Sequence, residues 1–269
     1  MFAWWRRRRR DAIRRRAFPP GWRAIIERNV PYVARLAPAD RDELMGHIKV
    51  FLAEKHFEGC GGLQVTDEVR VTVAAQACVL LLHRASDYYP TLSSILVYPA
   101  AYLVPASQTT PGGLVTEGYQ ARLGESWTRG EVVLVWDEVL SGAADLHDGH
   151  NVVLHEFAHQ LDQEDGAGDG APILPRRSMY VAWARVFGHE FEGLVRDVER
   201  HHRTLIDRYG ATNPAEFFAV ATETFFEKPA RLRSKHPQLY EQLRAFYQQD
   251  PAAGSAPGPQ PVDALPAPG

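Results

Sequence analysis

Hydrophobic positions along the chain follow helical spacing first and strand spacing later. Residues 21–90 are mostly helical in pattern, and the apolar positions within 44–52 recur every three or four residues. Asp40 and Glu43 stand three apart just before them, which predicts a capping box that opens this helix. A second apolar segment, residues 71–82, predicts a buried helix that belongs to the core.

From about residue 91 the pattern changes to short β-branched runs. The runs at 95–98 and 132–136 are bounded by turn residues and predict two strands. The second run is a candidate edge strand along a cleft, where an extended peptide could add as a further strand. Segment 141–150 is small and polar and predicts a loop. Helical spacing returns near 151 and then over 179–207, 214–227 and 237–248. The pattern therefore predicts a mostly helical α+β fold with a small sheet.

The two ends of the chain differ from its middle. Residues 1–20 form a basic arm with eight arginines, tipped by Trp4 and Trp5. This arm fits an anchor for a membrane surface or nucleic acid, but a solvated, partly ordered helix is favoured, because charge runs are usually only solvated. Residues 251–269 are rich in Pro, Ala and Gly and are expected to be disordered.

Composition limits the classes of protein that fit. The chain has 269 residues, 45% of them hydrophobic, and a net charge of -3, so it can bury a core and resembles neither a nucleic-acid binder nor a disordered chain. Cys60 and Cys78 cannot build a disulfide framework and predict free thiols in a reducing cytoplasm. No signal peptide and no transmembrane segment are expected.

The sequence His155-Glu156-Phe157-Ala158-His159 fits the pattern H-E-x-x-H. Residues four apart on a helix lie one turn apart on the same face, so both imidazoles can bind one metal ion. Glu156 is rotated by about 100° from His155 and is left to activate a water. By chance the pattern would occur in roughly 3% of such chains, so alone it only favours a zinc site.

A catalytic zinc site needs a third protein ligand and an open position. The acidic candidates on later segments are Glu190, Glu192, Glu199, Glu216, Glu223 and Glu227. Glu216 and Glu223 stand out because they lie seven residues apart on one helix face. Asn213, Pro214 and Glu216 also form a helix-start signature, so Glu216 fits a metal ligand and a capping carboxylate equally well.

Two motifs in this order resemble the Mlc titration factor A family. They are His155-Glu156-Phe157-Ala158-His159-Gln160-Leu161-Asp162 and Tyr209-Gly210-Ala211-Thr212-Asn213-Pro214-Ala215-Glu216-Phe217-Phe218-Ala219. The resemblance covers about residues 20–250, and a more distant one links the chain to the anthrax lethal factor catalytic domain. It implies a gluzincin-like metallopeptidase domain over 21–250, with a helical part 21–90 and a catalytic part 91–250, and with the sheet beside the active-site helix.

The resemblance also implies roles for single residues. One zinc ion per chain would be held by His155, His159 and Glu216, with Glu156 as the general base and Tyr209 facing the scissile group. Val220 departs from the lethal factor pattern, which has an acidic residue there, and Glu223 is the candidate to replace it in a supporting role.

Spacing suggests one further supporting residue and two residues outside the site. Asp162 lies seven residues after His155 and three after His159, so it is a candidate to accept the second N–H of a ligand imidazole. Its alternative is a solvated or helix-ending aspartate. His147 and His150 lie just upstream and are expected to be loop residues.

Two functions follow from these expectations. The first is a zinc-dependent, aminopeptidase-like enzyme that hydrolyses short peptides. The alternative is a regulatory protein that sequesters a transcriptional repressor of sugar uptake, since the family is named for such binding. Direct binding to nucleic acid is not expected. A purely structural zinc is disfavoured, because such sites use four protein ligands, commonly cysteines.

Overall fold

The computed structural model describes residues 2–100, 102–109, 115–122, 124–127 and 130–253 and has the predicted α+β fold. The helices are α1 (Phe2–Arg14), α2 (Pro20–Asn29), α3 (Pro38–Glu54), α4 (Asp67–Val79), α5 (Trp136–Ala144), α6 (Val152–Asp162), α7 (Met179–Glu199), α8 (Pro214–Glu227), α9 (Pro229–Lys235) and α10 (Pro237–Tyr247). The strands are β1 (His56–Gly59), β2 (Ser94–Tyr98), β3 (Tyr102–Thr109), β4 (Val115–Arg122), β5 (Gly124–Trp127) and β6 (Glu131–Val135). Short 3-10 helices cover Pro31–Arg35, Gln163–Asp165 and Arg208–Ala211.

The main sheet has the strand order β1-β2-β6-β5. The first three strands are parallel and β5 pairs antiparallel with β6, while β3 and β4 form a separate antiparallel pair. The strand predicted at 132–136 is present, but it ends at Val135, and Trp136 begins α5. The prediction that it forms an edge was wrong, because β6 lies between β2 and β5.

Helix α6 lies against the sheet and packs against several other elements. It packs against β5 and β6 on one side and against α4, α5 and α8 on others. Phe157 is fully buried on its inner face, where its ring centroid lies 4.8 Å from that of Tyr89 and 5.7 Å from that of Phe51. This aromatic contact fixes the side of the helix that faces away from His155 and His159.

The later helices follow the predictions closely. Helix α8 covers the predicted range 214–227, since Asn213 caps it and Pro214 occupies its first turn. Helix α10 ends one residue before the predicted 248, where Gln248 adopts a left-handed conformation. Helix α7 is shorter than predicted and ends at Glu199, so residues 200–207 are not helical.

Two local predictions were wrong. The capping box at Asp40 and Glu43 does not form, because α3 already begins at Pro38; Asp40 and Glu43 instead contact His83. Residues 141–144, predicted as loop, continue α5. The absence of a side chain at Gly142 lets the neighbouring backbone pack closely, since a Cβ there would lie 3.0 Å from the carbonyl oxygen of His150.

The basic arm forms helix α1, which packs against α3. The Arg10 guanidinium donates to Glu54 at 2.8 and 2.9 Å and to Asp87 at 2.5 Å, and Ile13 joins the hydrophobic core. Of the tail predicted over 251–269, residues 254–269 lie outside the described part of the chain, and Ala252 is buried. None of the helices in the described ranges has the length and apolar character needed to span a bilayer.

Replacing Phe157 tests how far the aromatic contact stabilises α6. We expect Phe157→Ala to lower the free energy of unfolding by about 3–5 kcal/mol, because it leaves a cavity under the helix. Val181→Ala is the control, since Val181 is 80% exposed and should change stability by no more than about 0.5 kcal/mol. Urea denaturation measures both, and equal stability of the two variants would contradict the assigned packing.

Candidate metal centre

The start of α6 is held by a buried polar network around Asn151. Its side-chain oxygen accepts the N–H of Leu154 at 3.0 Å, which caps the helix. Its side-chain amide donates to Gln76 at 3.0 Å and to the carbonyl of Gly142 at 3.2 Å. The cap therefore ties α6 to α4 and α5. It also fixes the position of His155 along the helix axis.

His155 and His159 lie one turn apart on α6, as the motif predicts, with ring centroids 4.9 Å apart. Glu216 reaches them from α8. Its Oε2 lies 3.0 Å from Nε2 of His155 and 3.2 Å from Nε2 of His159, and the two nitrogens are 3.2 Å apart. The cap of α8 is made by the side chain of Asn213, which accepts the backbone N–H of Glu216 at 3.0 Å. The Glu216 carboxylate thus lies against the imidazoles and does not fold back onto the helix end.

The three side chains fit a divalent metal ion. The ligand atoms of His155, His159 and Glu216 all lie within 4.8 Å of one another, so one ion could contact all three. Tetrahedral zinc with bonds of about 2.1 Å separates any two of its ligand atoms by roughly 3.4 Å, close to the 3.0–3.2 Å seen here. Two imidazoles and one carboxylate are also a donor set that catalytic zinc sites use.

Glu223 orients His155 from the other side of its ring. Nδ1 of His155 donates to Oε1 of Glu223 at 2.7 Å, which directs the Nε2 nitrogen toward His159 and Glu216. The second oxygen of Glu223 accepts the backbone N–H of Asn151 at 2.6 Å. One carboxylate of α8 therefore fixes both a candidate ligand and the N-terminal cap of α6, in the arrangement by which outer carboxylates support metal-bound histidines.

The carboxylates of Glu216 and Glu223 favour the protonated, positively charged form of His155. Burial acts to lower the pKa of His155, but hydrogen bonds to Glu216 and Glu223 outweigh it and raise the pKa to about 10. Burial acts to raise the pKa of Glu216, yet hydrogen bonds from His155 and His159 bring it down to about 2. The metal-free centre thus binds a proton at the place where a cation fits, and metal and proton compete for it.

Glu156 and Tyr209 lie at the same centre. Glu156 is buried on α6 and contributes to the electrostatic environment of His155. Tyr209 belongs to the 3-10 helix Arg208–Ala211, is 54% exposed, and has its ring centroid 6.0 Å from that of His155. A cleft of about 490 Å³ opens beside it, lined by residues 148–150, 201–208 and Lys228.

Asp162 is placed differently from the prediction. Its hydrogen bond within the described residues is to the backbone N–H of Gly170, at 2.8 Å, and neither imidazole donates to it. Gly170 has φ +82°, and a Cβ on it would lie 2.4 Å from the carbonyl oxygen of Pro214. Asp162 therefore ties the end of α6 to a loop that abuts the start of α8. Burial raises its pKa to about 6.

The other acidic candidates lie away from the two histidines. Glu190 pairs with His236 at 2.7 Å, and Glu192 lies near Arg196 on the surface of α7. Glu199 is exposed at the end of α7. His147 and His150 are loop residues, as predicted, and His150 pairs with Asp207 at 3.4 Å.

Sequence reasoning missed the roles of two buried polar residues near the centre. Asn151 could have been found as an N-cap, since it directly precedes the helical pattern of α6. Glu227 was considered only as a ligand; it is buried one turn after Glu223, and burial followed by repulsion from Glu223 raises its pKa to about 9. No sequence signal separates such a buried acid from a ligand.

A fold of this kind with two histidines on one helix and a glutamate on a later helix is typical of a metallopeptidase-like protein. A family model described as glucose-regulated metallo-peptidase M90 matches residues 2–248, and the chain belongs to that family. The match includes α1, and thus starts earlier than the resemblance at about residue 20.

Similar curated proteins span nearly the whole chain. An uncharacterized protein of Synechocystis sp. is 46% identical over 244 residues, which cover 90% of this chain and 89% of that protein. Proteins named Mlc titration factor A from Yersinia pestis and Yersinia pseudotuberculosis are 30% identical over 228 residues, 84% of this chain and 83% of theirs.

Removing the Glu216 carboxylate tests the third metal position. We expect Glu216→Ala to lower the metal content of the purified protein sharply, because two imidazoles alone leave the ion with half of a tetrahedral set. Glu192→Ala is the control, since its side chain is 71% exposed on α7. Elemental analysis measures both, and full metal content in Glu216→Ala would assign the third position to another group.

Glu223→Gln tests the support given to His155. An amide cannot accept both the Nδ1–H of His155 and the N–H of Asn151, so we expect metal affinity to fall about 10–100-fold. Glu227→Gln is the matched control, because that carboxyl is neutral near pH 7 and contacts neither imidazole. Competition with a chelator of known affinity measures the change, and equal affinities of the two variants would remove Glu223 from this role.

Proposed function

We propose that the protein is a zinc-dependent peptidase that hydrolyses short peptides in an aminopeptidase-like manner, acting in the cytoplasm. The observation that carries the proposal is the meeting of three ligand atoms, from His155, His159 and Glu216, within hydrogen-bonding distance of one another. Membership of a metallo-peptidase family supports it. The free thiols of Cys60 and Cys78 are compatible with a reducing compartment.

Each residue around this centre has a separate role in hydrolysis. When bound, zinc would lower the pKa of a coordinated water to about 7 and polarise a carbonyl group. The Glu156 carboxylate accepts the proton of the attacking water and later returns it to the leaving amine. The Tyr209 hydroxyl donates a hydrogen bond to the carbonyl oxygen as negative charge develops on it. Glu223 keeps His155 in the tautomer that this arrangement needs.

The substrate would bind along the sheet beside α6. Strand β5 packs near α6, and within the described ranges its backbone pairs with β6 alone. An extended peptide can therefore add to β5 in the manner first expected for residues 132–136. Tyr209 is 54% exposed, so its ring is accessible to the rest of a bound short chain.

The alternative is a regulatory protein that sequesters a transcriptional repressor of sugar uptake. It is supported by the relatives named Mlc titration factor A and by the description of the family as glucose-regulated. Binding of this kind needs the surface and the fold, and it does not need the proton transfer assigned to Glu156.

Glu156→Gln separates the two functions. We expect it to keep bound metal and to lower kcat for peptide hydrolysis by about 10²–10⁴-fold, since the amide cannot take a proton from water. Glu192→Gln makes the same chemical change on an exposed helix face and should leave kcat unchanged. Release of an amine from short peptides measures hydrolysis. Undiminished hydrolysis by metal-loaded Glu156→Gln would remove Glu156 as the base, and repressor binding by this variant would support the alternative.

A further inference from the structure

Helix α1 has one face fixed to the protein. At 100° per residue, Arg6, Arg10 and Ile13 lie on the same side of the helix. Arg6 pairs with Asp87 at 2.9 Å, Arg10 pairs with Glu54 and Asp87, and Ile13 is buried in the core. The helix therefore lies along the surface of the protein, and its opposite face is held outward.

The outward face combines exposed indole rings with guanidinium groups. Trp4 and Trp5 are 51% and 62% exposed and form an edge-to-face pair with ring centroids 5.2 Å apart. The guanidinium carbon of Arg8 lies 4.3 Å from the Trp4 ring centroid. Arg15 follows Arg8 by seven residues and so lies on the same face. Exposed indoles beside cationic groups are typical of surfaces that bind at a membrane interface.

Several arginines of residues 1–16 carry uncompensated charge. Within the described part of the chain, no ion pair is formed by Arg7, Arg8, Arg9, Arg15 or Arg16, whereas Arg6 and Arg10 neutralise the acids beneath the helix. Residues 1–16 hold eight of the 30 basic residues and one of the 33 acidic ones, a net +7. Residues 17–269 then carry 22 basic and 32 acidic residues, a net -10.

We propose that the outward face of α1 binds an anionic lipid bilayer, with Trp4 and Trp5 at the headgroup level and the unpaired arginines on anionic headgroups. The charge distribution favours the approach of this part of the protein to such a surface, because residues 1–16 carry a net +7 and the remainder a net -10. A duplex nucleic acid would use the arginines alone, since phosphate contacts need no exposed indole pair. The tryptophans therefore favour the bilayer.

This surface is separate from the metal centre. Helix α1 packs on α3, whereas α6 packs on α4, α5, α8 and the sheet. Binding through α1 does not involve the residues of the metal centre, and its test does not depend on metal or on hydrolysis. Failure of the membrane proposal would not affect the proposed peptidase.

Vesicle sedimentation with the full-length protein tests the proposal. We expect binding to vesicles of phosphatidylcholine mixed with phosphatidylglycerol, little binding to phosphatidylcholine alone, and weaker binding at high salt. An arginine near an anionic surface contributes about fivefold to partitioning, so Arg8→Ala/Arg15→Ala should lower it about 25-fold. Arg176→Ala/Arg177→Ala is the matched control, because it removes the same charge from an exposed site on another segment.

The indole pair is tested by Trp4→Ala/Trp5→Ala. We expect weaker partitioning with an unchanged thermal unfolding midpoint, because both rings are exposed. Three results would overturn the proposal: equal binding to neutral and anionic vesicles, unchanged binding of the Arg8/Arg15 variant, or tighter binding to duplex DNA than to anionic vesicles at the same salt with no effect of the tryptophans. The last result would identify a nucleic-acid surface.

Discussion

The packing of α8 against α6 is the constraint on which the candidate metal centre depends. His155 and His159 come together through helix geometry alone, but Glu216 is 57 residues beyond His159 and meets it only when the two helices dock in one register. Glu223 fixes that register from the same helix, because it contacts both a histidine ring and the backbone at the start of α6. A shift of α8 by one turn would separate all of these contacts at once.

Charge balance in this centre follows from the same packing. Two helices bring two imidazoles together with the carboxylates of Glu216 and Glu223 in a half-buried place, where acids without a cationic partner are costly. A proton on His155 compensates one of these two negative charges in the metal-free chain, and the hydrogen bonds to both carboxylates raise its pKa. A divalent cation at the same place would stabilise the ionised carboxylates further and would bind the imidazoles in their neutral form.

Local sequence signals were sufficient to predict the bounds of a helix whose ends are set by its own residues. Asn213 and Pro214 fix the start of α8, and the range 214–227 was predicted without error. Local signals failed where another part of the chain decides. The carboxylate of Glu43 accepts the backbone N–H of His83, which is 40 residues away. Glycine occurs at position 142 because the backbone near Asn151 passes close to it.

The candidate site shows the same division between local and tertiary information. The relative placement of the two histidines and Glu156 could be predicted from spacing, because a helix fixes their relation. The third candidate ligand could not, since spacing left Glu216 between ligand and cap, and only the resemblance to a family favoured the ligand. Asp162 shows the limit of spacing, because its position on α6 fits a histidine partner while its carboxylate bonds to Gly170.

One stripe of α8 carries three glutamates at increasing depth: Glu216 at the rim, Glu223 beneath it and Glu227 fully buried. The same side chain is strongly acidic at the outer position and a weak acid at the inner one, with pKa values of about 2 and about 9. Helical spacing places Glu216 against the two imidazoles, which lower its pKa, and places Glu227 in a buried position next to another carboxylate, which raises it. The neighbours that helical spacing brings to each carboxylate therefore determine its acidity as much as the choice of amino acid does.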